Sequence, residues 1–315
     1  MSEGVELGNA RPPRVAYRSK ISGISDRLAH ERPRTQQPEA QRPQGLFVTG
    51  TDTGVGKTVL SAALLAAMAA AGEPVRAHKP VVTGLGEESG IGESETWPPD
   101  HVLLGNAAGM TGEEVAPLRY GPAVSPHLAA QLAGERIEPA RLLTAARSAA
   151  AGDDILIVEG VGGLLVPLAV DYTVRDLAVA LELPLLIAAR PGLGTINHTL
   201  LTLAAARAAG LDVLAVVLTP WPQRPNAMER SNRDTIAHLG EIEVAGLGQV
   251  RSPTAAGLAS AGDALPWRRW LALPKRLISS ACVPRRSEPV RNLRKSSVNI
   301  LCPFAQPCTR ICKVP

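Results

Sequence analysis

The sequence predicts an α/β domain in which a mostly parallel sheet is covered by helices on both faces. Three observations lead there. Short continuous apolar runs recur along the chain and alternate with helical patterns, as strands buried on both sides do. The first run, LFVTG (46–50), passes through a glycine-containing loop into an Ala/Leu-rich helix. Apolar residues make up 45% of the 315 residues but aromatic ones only 3%, so the core must be built from Ala, Val, Leu and Ile.

The first strand is LFVTG (46–50), and Thr58 to Ala71 forms the helix after it, stopped by Gly72. VRAHK (75–79) is a second strand, ended by Pro80, which cannot donate to a ladder. ILIVEG (155–160), LLIAA (185–189) and VLAVVL (213–218) are the third to fifth, and VAGL (244–247) a sixth. Helical patterns fall between them, near 101–109, 126–133, 139–151, 173–182, 196–209 and 229–239. In such a sheet the functional loops sit at the carboxyl ends of the strands.

The two ends of the chain read differently. Residues 1–44 hold eight Arg/Lys against five Asp/Glu, with Pro-rich stretches and no sustained period. Residues 274–315 hold nine Arg/Lys and one acid, Glu288. Both predict disordered basic extensions around a single domain at 45–273. The net charge of +4 therefore belongs to the ends and the middle is acidic, which argues against a nucleic-acid enzyme. All four cysteines lie in the tail without a paired C-x-x-C, so zinc and thiol chemistry are not expected. No apolar run reaches membrane-span length and no signal pattern opens the chain, so a cytoplasmic protein without a membrane partner is expected.

Chemistry concentrates at the predicted strand ends. GTDTGVGKT (50–58) resembles a phosphate loop, G-x-x-x-x-G-K-[ST], with one extra residue after Gly50. Gly54 and Gly56 let the backbone curl, and Lys57 and Thr58 open the helix, whose free amides favour a phosphate. Lys57 would reach the outer phosphates and Thr58 would ligate Mg²⁺. Glu159 closes a buried strand, where a carboxylate needs a metal, a cap or a salt bridge. Asp100 starts a helical stretch; it either caps that helix or joins the metal, and spacing alone does not decide. Lys79 closes the second strand, either as a surface lysine or as a second cation for a second anion. RPGLGTINHTLL (190–201) adds another glycine loop entering a helix. His198 there is more plainly a capping or core histidine than a catalyst.

Together these residues resemble the dethiobiotin synthetases, ATP-dependent cyclo-ligases of biotin synthesis within the P-loop NTPase superfamily. The likeness runs over roughly residues 45–270. GTDTGVGKT (50–58), HKPVVTG (78–84), SPH (125–127), VEGVGG (158–163) and LGTINHTLLT (193–202) carry it. The longer loop is that family's own form. The resemblance implies a single P-loop NTPase-like domain and a reaction of 7,8-diaminopelargonic acid with CO₂ and Mg²⁺–ATP, through a carbamate and a carbamic–phosphoric anhydride. It implies catalytic roles for Lys79, at the carbamate, and Lys57, at the transferring phosphoryl group. Thr58, Asp100 and Glu159 match magnesium ligands. Gly54 to Val59, Asp100, Glu159 to Gly162, and Thr219 with Pro220 would hold ATP. Thr53, Thr83, Leu193 to Thr195, and Asn197 would hold the diamine, the last group from the partner subunit of a homodimer.

Two departures stand out. VLAVVL ends in Thr219-Pro220-Trp221, where many members carry an adenine-reading asparagine, so backbone groups near 219–221 would read the base instead. The two extensions find no counterpart. An idle binding or regulatory module of the same fold is the competing reading, but such a module would be expected to lose some of Lys57, Thr58, Lys79 and Glu159. The cobyrinic acid amidating enzymes carry a glutaminase domain with a reactive cysteine, whereas the core at 45–273 has no cysteine and the chain no space for that domain.

Overall fold

The computed structural model describes residues 44–85 and 97–272. The extension expected at 1–44, apart from Gln44, and the tail at 274–315 with its cysteines lie outside the described residues.

β1 (Gln44–Gly50) leads through the glycine loop to α1 (Lys57–Ala70) and on to β2 (Val75–His78). Four helices follow: α2 (Asp100–Ala108), α3 (Gly112–Val115), α4 (Pro126–Leu132) and α5 (Pro139–Ser148). β3 (Ile155–Gly163) precedes a small antiparallel ribbon of β4 (Pro167–Ala169) and β5 (Tyr172–Thr173). Then come α6 (Val174–Leu181), β6 (Leu185–Ala189), α7 (Thr195–Ala208) and β7 (Val213–Trp221). α8 (Ala227–Gly240), β8 (Glu243–Gly248), α9 (Ala255–Asp263) and α10 (Trp267–Ala272) complete the described chain.

The main sheet is parallel throughout, in the order β2-β3-β1-β6-β7-β8. Alternate residues of each strand enter two different cores. Leu46, Val48, Ile155 and Ile157 face α1, α2, α9 and α10, and Phe47, Leu156 and Val158 face α4 to α8. Burial on both faces is why the strands read as continuous apolar runs rather than alternating ones.

Strand register sets the site. β1 pairs Val48 with Glu159, and β2 pairs His78 with Val158. Lys79 and Glu159 thus leave neighbouring strands at the same level, beside the loop that follows Gly50.

All six predicted strands form the sheet, and the predicted helices appear within a few residues. β3 runs three residues beyond the expected end and β7 runs to Trp221. α3, the β4–β5 ribbon, α9 and α10 were not expected. α3 is one turn closed by a capping box between Thr111 and Glu114. α9 depends on packing: a β-carbon at Gly262 would lie 2.0 Å from the Ala63 carbonyl oxygen of α1, so only glycine permits that approach. Among the described residues no helix is long and apolar enough to cross a membrane.

Candidate active site

The loop between β1 and α1 is shaped by glycines with φ of 69° at Gly54 and 90° at Gly56, the left-handed region that other residues avoid. Gly56 has a second constraint: a β-carbon there would come 2.8 Å from Thr219 Cγ2 at the end of β7. Asp52 braces the loop, its carboxylate accepting from the Thr53 amide at 2.7 Å and its backbone carbonyl accepting from Lys57 Nζ at 2.8 Å. Lys57 is buried, and burial holds its ammonium below the ordinary lysine value although Glu159 pulls the other way.

Beside the loop lies a cluster of opposite charges. Lys79 Nζ donates to Glu159 Oε1 at 2.5 Å and to Asp100 Oδ2 at 2.6 Å. Thr58 Oγ1 donates to the same Glu159 oxygen at 2.9 Å. Glu159 is fully buried and Lys79 is 4% exposed, whereas the Asp100 side chain is half exposed and forms the open side. Burial alone would draw the proton from Lys79, but Glu159 and Asp100 outweigh it and hold the ammonium above its usual value. Burial likewise pushes the Asp100 carboxyl up, and the charge and hydrogen bond of Lys79 override that and hold it below the usual range. The second oxygen of Glu159, Oε2, is buried with no hydrogen-bond partner. Asp100 sits in the first turn of α2, and its side chain reaches Lys79.

The other sequence-derived residues spread around this centre. Gly160 is buried and Val161 and Gly162 half-buried along the end of β3. The space over Gly162 is bounded by Val166 and Thr53 Oγ1. Val55 is buried and Val59 half-buried. Thr83 lies on a segment held by Val82 and Gly84 amides donating to Leu118 and Pro122 carbonyls. Leu193, Gly194 and Asn197 are exposed at the start of α7, with Thr195 buried beneath them. A cleft of about 370 Å³ joins Thr51, Asp52 and Val55 to Arg190, Leu193, Thr195 and His198. A second, about 350 Å³, is lined by Pro220, Trp221, Pro222, Arg190, Glu229 and Gln249. Thr219 turns the other way: it is 2% exposed and its side chain packs under Gly56. A third cleft, about 430 Å³, is lined by residues 117–122 with Leu132, Ala133 and Glu135 and contains none of the phosphate-loop residues.

Sequence reasoning missed Arg190, which lines both smaller clefts and lies 3.5 Å from the Asp52 carboxylate. It also missed Asn232, whose side-chain amide donates to the Pro191 carbonyl at 2.9 Å and fixes the loop before α7. The arginine at the end of a buried strand was the available signal for the first. Nothing local marked the second.

Residues 44–251 match the family described as AAA domain. The chain is similar to the ATP-dependent dethiobiotin synthetase BioD of Mycobacterium sp. (strain KMS), at 43% identity over 211 residues, which covers 65% of this chain and 89% of the relative. The same-named protein of Anaeromyxobacter dehalogenans (strain 2CP-1 / ATCC BAA-258) is 45% identical over 62% of this chain and 85% of its own length. That of Bacillus velezensis is 35% identical over 65% and 85%. With a glycine loop, a buried lysine–carboxylate cluster and likeness over most of these relatives' length, the chain belongs to the family of ATP-dependent dethiobiotin synthetases.

Proposed function

We propose that this protein forms the ureido ring of dethiobiotin from 7,8-diaminopelargonic acid, CO₂ and ATP, a ligase step of biotin synthesis in the cytoplasm. The observation that carries the reading is Lys79, a buried ammonium held between Glu159 and Asp100 beside the phosphate loop. One amine of the substrate adds to CO₂ and loses a proton, giving a carbamate. A carbamate oxygen then attacks the γ-phosphorus of ATP, ADP leaves, and a carbamic–phosphoric anhydride remains. The second amine attacks the carbonyl carbon, the carbon–oxygen bond to phosphate breaks, and the ring closes.

The parts suit two anions that must meet. Lys79 binds the carbamate, and Lys57 stabilises the transferring phosphoryl group, each held in place before reaction. Gly54 to Val59 cradle the phosphates, Glu159 to Gly162 border the nucleotide, and the base lies near Thr219 and Pro220. Because the Thr219 side chain packs under Gly56, backbone groups there read the base. Thr53 and Thr83 line the diamine pocket. Leu193, Gly194, Thr195 and Asn197 take its carboxylate, from the partner subunit of a homodimer.

The residues present fit a magnesium ion. Two carboxylates and a hydroxyl offer the hard oxygen donors it prefers, and Glu159 Oε2 is a buried acceptor with no protein partner. Thr58, Asp100 and Glu159 would hold the ion, which when bound neutralises phosphate charge.

The test is phosphate release from Mg²⁺–ATP with the diamine and bicarbonate supplied together and singly. Release that needs both is expected. Hydrolysis at the same rate without the diamine would overturn the assignment.

A further inference from the structure

Glu159 Oε1 accepts from both Thr58 Oγ1 and Lys79 Nζ, and Asp100 Oδ2 accepts from the same ammonium. Lys79 therefore points its charge at its own acids, and little of it is left to attract a substrate anion. Its backbone amide donates to the Val115 carbonyl at 2.9 Å, so the main chain is anchored and only the side chain is free to turn. The acids it holds are the pair a divalent cation needs, and no group of three or more His, Cys, Asp or Glu offers another metal site among the described residues. An ammonium and a divalent cation on the same two carboxylates repel strongly at this depth.

We propose that Lys79 is an internal stand-in for the divalent cation, holding Glu159 and Asp100 in ligating positions and turning toward the substrate anion once the metal takes them. Before loading, the ammonium keeps the buried Glu159 charge paired, which an empty site would leave exposed to a large desolvation cost. After loading, the ammonium is released at the moment the nucleotide is in place. The device orders the reaction: metal and nucleotide come first, and only then does Lys79 stabilise a carbamate. This rests on the proposed function only in needing a divalent cation and a substrate anion.

The test measures metal binding rather than turnover. Mn²⁺ is titrated into the full-length, nucleotide-free protein, with free ion read by electron paramagnetic resonance. Removing the competing ammonium in Lys79→Met should tighten Mn²⁺ binding by at least about tenfold, a conservative figure for lifting a like-charge contact near buried carboxylates. Lys79→Gln, which keeps one donor for Glu159, should show the same gain and serves if the methionine variant does not fold. Unchanged or weaker Mn²⁺ binding in a folded variant overturns the proposal while leaving the ligase assignment untouched. Conversely, tighter binding in a protein that makes no ring would leave the stand-in role standing and sink the ligase reading.

Discussion

Lys79→Gln removes one positive charge from a cluster in which Glu159 is fully buried and has no other cation within hydrogen-bonding distance among the described residues. Breaking a buried pair by deleting one partner costs about 3–5 kcal/mol, because the remaining charge is left uncompensated. The glutamine amide can still donate to Glu159 Oε1, and a net hydrogen bond returns about 1 kcal/mol. The expected loss of stability is therefore about 2–4 kcal/mol. In a domain of this size each kcal/mol lowers Tm by about 2–4 °C, so Tm should fall by roughly 5–15 °C. Activity should fall further than stability. Removing one preorganised charge-stabilising donor typically costs about 10²–10³ in rate. Calorimetry gives the first quantity, and substrate-dependent phosphate release, measured well below the lowered Tm, gives the second. Near-normal turnover in the folded variant would remove Lys79 from the carbamate, and an unchanged Tm would show that Glu159 does not depend on it.

Gly56→Ala must fit a β-carbon at φ 90° and 2.8 Å from Thr219 Cγ2, so it should abolish binding of a non-hydrolysable ATP analogue in isothermal titration; unchanged affinity would show that the loop is not the phosphate site. His78 is buried, and desolvation lowers its pKa from 6.5 to about 4. Its folded pKa is the depressed one, so stability is full above about pH 6.5 and is lost as pH falls toward 4, by roughly 3 kcal/mol at the bottom of that window. Denaturant midpoints of His78→Leu should fall less steeply over the same range, and parallel curves would show that His78 is not the source. Deleting residues 1–44 and 274–315 should leave phosphate release intact; a folded but inactive truncation would give the extensions a part in the reaction.

Much of the site could be read from local signals. GTDTGVGKT fixed a phosphate loop because glycines at 54 and 56 meet a backbone demand and Lys57-Thr58 meet a helix start. Glu159 and Lys79 stood out because charged residues rarely close buried strands without a partner. Asp100 was ambiguous: its position suited a helix cap, and only the packing of α2 against α1 turns its carboxylate toward Lys79. Thr219 was read as part of a stretch whose backbone groups face the base, and only the tertiary structure shows that its side chain packs under Gly56. Nothing in the sequence tied Arg190 or Asn232 to its partner, since Asp52 and Pro191 lie 138 and 41 residues away.

The sequence by itself determined the layered α/β architecture and the placing of the glycine loop, Lys79 and Glu159 at predicted strand ends, because apolar period and glycine placement are local properties of the chain. Tertiary structure alone decided which charges meet. A parallel sheet joins strands separated by long crossovers, so the contact of Lys79 with Glu159, 80 residues apart, follows from register and packing rather than from spacing.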